Sequence, residues 1–212
     1  MFKIFALIII VSTVFCLAVG QTAADRLILT PTGDTLTGLK VEYAVSPGLD
    51  DAKVYWVNAG VSRVEVEGAR FQDFGDDDFD AISAQISVLP ETSFTPAVAL
   101  GVRDISDKTK DEGVLYNGQS FYLATSRSIP VTGGIPVLFQ DMRVHGGIGT
   151  GSLSGVFFGI EGKTSMGLEL MAEYDTEDFN FAASYKIVPT VKIRAASIKG
   201  DMYYGALFSA AF

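Results

Sequence analysis

Cysteine, histidine and tryptophan each occur once in the 212 residues, and beyond residue 20 no unbroken apolar run is long enough to cross a bilayer as a helix. Cys16 lies inside the N-terminal apolar stretch, so the rest of the chain carries no disulfide. Phe15 stands ahead of it where a lipoprotein signal places a small residue, which argues against lipidation. Basic residues are also scarce. Against 25 Asp and Glu there are 16 Lys and Arg, a formal net charge of −9, and this balance argues against a nucleic-acid partner. Helical periodicity is nearly absent, and period-two alternation takes its place.

Met1, Phe2 and Lys3 make a short positive start, residues 4–19 are almost wholly apolar, and Ala18, Val19 and Gly20 supply the small residues a signal peptidase requires. Residues 1–20 therefore read as a cleaved signal peptide. A retained anchor is the weaker reading, because the apolar stretch falls short of the ~20 residues a spanning helix needs. The short apolar run 27–30 ends at Pro31 and belongs to a periplasmic N-terminal lead-in over 21–36, or to a short strand outside the main count. Residues 37–212 form the one folded domain.

Hydrophobic residues make up 48% of the chain without any long run, so they are distributed by alternation, the pattern of a transmembrane β-barrel whose strands face lipid and lumen in turn. Met166, Leu168, Leu170, Ala172 and Tyr174 share one face of a strand, with Gly167, Glu169, Met171 and Glu173 on the other. Phe179, Phe181, Ala183, Tyr185 and Ile187 oppose Asp178, Asn180, Ser184 and Lys186, and Asp175, Thr176 and Glu177 turn the chain between the two. The final alternation, from Met202 to a terminal Phe212, is similar to the C-terminal recognition strand of bacterial outer-membrane barrels. The pattern predicts an all-β, antiparallel, up-and-down barrel of about twelve strands, near 37–46, 53–59, 61–68, 81–89, 95–104, 120–129, 141–150, 154–163, 165–174, 178–187, 190–199 and 202–212. With a periplasmic C-terminus, the long polar connections 69–80, 105–119 and 149–154 fall outside, and the turns near Pro90, Thr164 and Pro189 fall on the periplasmic side. The exception is 130–140, with Gly133, Gly134 and the apolar residues 136–139, which reads as a partly buried flap.

The inward parity collects charges of both signs: Lys40, Glu42, Arg63, Glu65, Glu67, Arg103, Arg143, His145, Glu161, Lys163, Glu169, Glu173, Lys186, Lys192 and Arg194. The pattern predicts that Arg103, Arg143, Lys192 and Arg194 pair with Glu161, Glu169 and Glu173, closing the lumen as in barrels filled by side chains; an open selective pore is the alternative. The acidic stretch from Asp73 to Asp80 offers oxygen atoms for calcium but lacks the ordered spacing of a calcium loop, and reads as a solvated external loop. His145 shares a strand face with Asp141 and lies near Ser152 and Ser154 in the sequence, too little to carry hydrolysis. Gly146, Gly147, Gly149 and Gly151 belong to a glycine-rich strand and turn, since no strand-to-helix context makes them a phosphate loop. No catalytic, cofactor-binding or metal-binding residue is read from the sequence.

Residues 31–36 (Pro-Thr-Gly-Asp-Thr-Leu), 89–92 (Leu-Pro-Glu-Thr) running into 95–105, 122–126 (Tyr-Leu-Ala-Thr-Ser) and 170–175 followed by 178–180 resemble the YjbH family of bacterial outer-membrane proteins associated with exopolysaccharide production. The resemblance implies a barrel and an accessory role in exopolysaccharide export or assembly, although family members are often much larger than this single barrel unit. The sequence-based expectation is thus a non-enzymatic bacterial outer-membrane barrel with no cofactor. Its partners would be membrane lipid, the outer-membrane assembly machinery through the C-terminal strand, and a polysaccharide. A passive porin-like channel and a soluble periplasmic β-sandwich are the rival readings, and the sandwich would have to bury Phe179, Phe181, Tyr185, Tyr204, Phe208 and Phe212.

Overall fold

The computed structural model describes residues 26–74, 77–131 and 138–211. The expected signal peptide, Cys16, the terminal Phe212, and most of the 130–140 connection lie outside the described residues. Twelve strands run in chain order: β1 (Gly38–Ser46), β2 (Ala52–Val61), β3 (Val64–Gln72), β4 (Phe79–Leu89), β5 (Ala97–Arg103), β6 (Ser120–Ile129), β7 (Asp141–Gly149), β8 (Gly155–Lys163), β9 (Leu168–Tyr174), β10 (Phe179–Val188), β11 (Val191–Ile198) and β12 (Asp201–Ala210). Each pairs antiparallel with its successor, and β12 returns to β1 from Leu39↔Ala210 to Val45↔Tyr204. The result is a closed all-β barrel with no free strand edge, so the backbone groups of every strand are satisfied by neighbours.

The alternation places side chains as the sequence predicts. Ile82, Ile86, Leu100, Phe121, Phe158, Phe181, Tyr185 and Phe208 point outward and stay exposed, while Ser83, Gln85, Glu161, Glu169, Asn180 and Ser184 are buried inside. An apolar exterior over a polar interior inverts the arrangement of a soluble protein. Phe179, Phe181, Tyr185, Tyr204 and Phe208, which a sandwich would bury, are 39% to 60% exposed. The soluble β-sandwich is therefore overturned, and the architecture is that of a membrane barrel. Two inward glycines make room for aromatic rings on the facing strand. Gly147 sits opposite Phe157, whose ring comes within 2.3 Å of where a Cβ on Gly147 would lie, and Gly101 stands in the same relation to Tyr122.

Two strand boundaries and two charged side chains are placed differently. Val61 pairs with Val64, so Ser62 and Arg63 form a two-residue hairpin turn, with Ser62 at a φ of 59°, and Arg63 is exposed there rather than inside. β3 then continues to Gln72, leaving a shorter external loop than 69–80. Lys186, at a register shift in β10, is also exposed rather than luminal.

The largest departure concerns the segment expected as a periplasmic lead-in. Residues 26–36 lie inside the barrel: Leu27, Ile28, Leu29 and Leu36 are at most 1% exposed. Leu27 N–H donates to the Thr30 carbonyl at 2.9 Å and Arg26 bridges Pro31, so the segment enters as a tight turn. From the opposite end the long loop between β5 and β6 folds inward and buries Val114, Leu115 and Tyr116. Together with Val54, Trp56, Phe71 and Tyr203 from the wall, these residues make an apolar luminal core that the alternation alone does not predict. A twelve-strand barrel is wide enough to leave space that side chains do not fill, and here two chain segments fill it. In the 130–140 connection, the Phe139 ring packs against Gly162, an outward-facing position on β8.

The luminal segment and the carboxylates that hold it

Beside the apolar packing of Leu27, Ile28 and Leu29, polar groups of the wall hold the backbone of segment 26–36. Glu173, on β9, receives three successive backbone N–H groups: Ile28 at 2.9 Å, Leu29 at 2.8 Å and Thr30 at 3.1 Å. Thr30 Oγ1 (2.9 Å) and Asn180 Nδ2 (3.0 Å) add two more donors to the same carboxylate. Successive N–H groups curled around an anion form a nest, here occupied by the protein's own side chain. Further along, Leu36 N–H donates to Glu65 Oε2 at 2.7 Å, Gly33 N–H to Ser126 Oγ at 2.7 Å, and Gln85 Nε2 to the Asp34 carbonyl at 2.8 Å. A Cβ on Gly33 would lie 2.6 Å from the Ala97 carbonyl oxygen, so only glycine lets the backbone come this close to β5 and β6.

Arg26 anchors the start of the segment. Its Nη2 lies 2.8 Å from Glu42 Oε2, its Nε 3.0 Å from Glu67 Oε2, and its guanidinium stacks 4.1 Å from the centre of the Trp56 ring. Tyr116, from the inward loop, donates to Glu67 Oε1 at 2.6 Å and accepts from Trp56 Nε1 at 3.2 Å. Complete burial, and then the neighbouring Glu67 charge, push the Tyr116 phenol well above its ordinary range and keep it a donor. Loop and segment thus meet on one carboxylate.

The charges singled out from the sequence are nearly all inside, but their partners differ. Of the expected pairs only Lys192–Glu169 forms, at 2.7 Å, with Lys163 3.4 Å from the other Glu169 oxygen. Arg103 donates to the Leu29 carbonyl and lies over the Tyr116 ring at 4.5 Å. Arg143 bridges Asp34 at 2.6 Å and Glu91 at 3.0 Å, Arg194 reaches Glu42 at 2.9 Å, and Glu161 faces His145 and Lys163, both at 3.7 Å. Two features redirect these partners. The inserted segment takes Glu173 and Arg103 for its backbone and offers Asp34 to Arg143, and curvature brings β11 opposite β1 across β12. Burial, opposed by Arg143, raises the Asp34 carboxyl above its ordinary value.

His145 does not meet Ser152 or Ser154. Ser152 lies at the external end, against Ser120 Oγ at 2.6 Å. His145 Nδ1 instead sits 2.8 Å from Ser126 Oγ, and its Nε2 faces Glu161. Ser126, His145 and Glu161 follow the order of a hydrolytic triad, yet Ser126 is 1% exposed and its oxygen is capped by the Gly33 N–H. With the luminal segment in place no reacting atom can approach it: Ser126 accepts the Gly33 N–H of the segment, and His145 and Glu161 stand behind Ser126. In the acidic loop, hydrogen bonds from Gln72 at 2.9 Å and Arg70 at 2.8 Å hold the Asp78 carboxyl below its ordinary value, and Asp73 pairs with Lys53 at 2.5 Å. Among the described residues no group of three or more potential ligands is poised for a metal ion.

The sequence matches no family model and no curated protein. Among solved structures, the fold is similar to that of a mutant porin of Rh. blastica, with 14% identity over 76% of this chain and 56% of the porin chain and a TM-score of 0.33. The chain spans little more than half the length of that porin.

Proposed function

We propose that the protein is a non-enzymatic barrel of the bacterial outer membrane that passes small solutes when residues 26–36 leave the lumen. The supporting observation is the way the segment is held. Glu173, Glu65, Ser126 and Gln85 grip its backbone by hydrogen bonds that water can replace, while the burial of Leu27, Ile28 and Leu29 opposes withdrawal and keeps the filled state the resting one. Once withdrawn, the segment uncovers the carboxylates, guanidinium groups and hydroxyls of the wall, which water and polar solutes can wet, beside an apolar patch of Val54, Trp56, Phe71 and Tyr203. Lipid surrounds the apolar exterior, and the assembly machinery engages the C-terminal strand. The exopolysaccharide role rests on the YjbH resemblance. A filled lumen supports an accessory to export better than a conduit for polymer.

Planar-bilayer recording tests the reading. The unmodified protein should show little steady conductance, and a variant lacking residues 26–36 but still folded by heat-modifiable gel mobility should conduct steadily. A large, stable conductance from the unmodified protein would overturn the closed state. A folded, silent deletion variant would show that the β5–β6 loop closes the barrel alone.

A further inference from the structure

The Arg26 site is more specific than closure of a lumen requires. The guanidinium is contacted on three edges and one face: Glu67 at Nε, Glu42 at Nη2, the Ile28 carbonyl at Nη1 (2.6 Å), and the Trp56 ring beneath. Of these four groups only Ile28 travels with the segment. Glu42 and Trp56 are direct partners across β1 and β2, and Glu67 follows on β3, so the acidic and aromatic parts of the pocket belong to the wall.

Those parts are also held in place from behind. Glu42 gives its Oε1 to Arg194 at 2.9 Å and turns Oε2 to Arg26. Glu67 accepts Tyr116 at Oε1 and presents Oε2, itself steadied by Asn58 Nδ2 at 3.0 Å. The two carboxylate side chains are 3% and 9% exposed, a burial tolerated only with a cation beside them. Planar, forked and able to stack, a guanidinium satisfies both acceptors and the ring at once; a round ammonium ion does not.

We propose that this pocket is a binding site for small solutes carrying a guanidinium group, which enter it in exchange for Arg26. The inference rests on the reading that residues 26–36 can leave the lumen. It adds to that reading the chemical class of solute for which the lumen is built.

Trp56 is the one tryptophan of the chain and forms the floor of the pocket, so its emission reports occupancy directly. Arg26→Ala, checked for heat-modifiable mobility, is titrated with methylguanidinium and, at equal ionic strength, with methylammonium. The expected result is a saturable change in Trp56 emission, at least tenfold tighter for methylguanidinium. An equal response to both ions, or none, overturns the proposal. If Arg26→Ala does not fold alone, it is refolded in methylguanidinium or in methylammonium at equal ionic strength; rescue of heat-modifiable mobility by methylguanidinium alone is expected, and equal rescue or none overturns the proposal. Conductance of the variant without ligand is recorded separately. A tight methylguanidinium titration in a silent barrel supports the pocket and counts against the conduction reading; a conducting barrel whose emission does not respond overturns the pocket alone.

Discussion

Glu173 accepts the backbone N–H of Leu29 at 2.8 Å across 144 residues of sequence, and the N–H groups on either side of Leu29 converge on the same carboxylate. One side chain of β9 therefore gathers the backbone of the luminal segment, beside the apolar burial of Leu27, Ile28 and Leu29. Glu173→Gln keeps the shape but turns amide hydrogens toward donors. A buried donor left without its acceptor costs ~1–3 kcal/mol, which corresponds to a rise of roughly 5- to 150-fold in the open fraction. Frequent channel openings are expected in planar bilayers with unchanged heat-modifiable mobility. A folded variant as quiet as the parent would show that Glu173 does not secure the segment.

Leu170 and Glu169 are neighbours on opposite faces of β9. Leu170 is outward and 39% exposed, and Glu169 is buried between Lys192 and Lys163. Leu170→Arg should lower folding yield in lipid vesicles, since a charge near the middle of the apolar belt costs ~2–4 kcal/mol. In detergent micelles, which adapt around a charge, the loss should shrink. Glu169→Arg fails for a different reason, by placing three cations together inside, and its loss should persist in both media. Identical behaviour of the two variants in both media would contradict this assignment of faces.

Tyr116 makes stability depend on alkaline pH. Its folded pKa lies above the ordinary 10.0, so the stabilisation it contributes is complete below that value and is lost as the pH rises from there toward the folded value. Thermal unfolding of the parent should weaken progressively above about pH 10. Tyr116→Phe, which gives up the bonds to Glu67 and Trp56, should be less stable at neutral pH and lose less on the alkaline side. Parallel alkaline losses in the two proteins would remove Tyr116 from the cause.

What the sequence determined by itself is local and periodic. Alternation needs only the two-residue repeat of a strand, so twelve strands, their faces and the outward apolar side chains from Ile82 to Phe208 were all legible. Turn chemistry blurred the ends by a few residues, as at Ser62 and Arg63, because a two-residue hairpin carries little composition of its own. The polar character of the wall was legible for the same reason, and Arg103, Arg143, Glu161, Glu169, Glu173, Lys192 and Arg194 were all placed on the inward parity. Their partners were not. Arg143 meets Asp34 across 109 residues and Arg194 meets Glu42 across 152. Such pairings depend on barrel curvature and closure, which no local pattern encodes. The luminal segment illustrates the same limit. Leu27, Ile28 and Leu29 form a short apolar run that looks like a connector until a closed barrel, open at one end and lined with carboxylates, gives its backbone somewhere to be satisfied. Tertiary structure alone decided that the lumen is filled, because filling depends on the volume twelve strands enclose and on which distant segment fits within it.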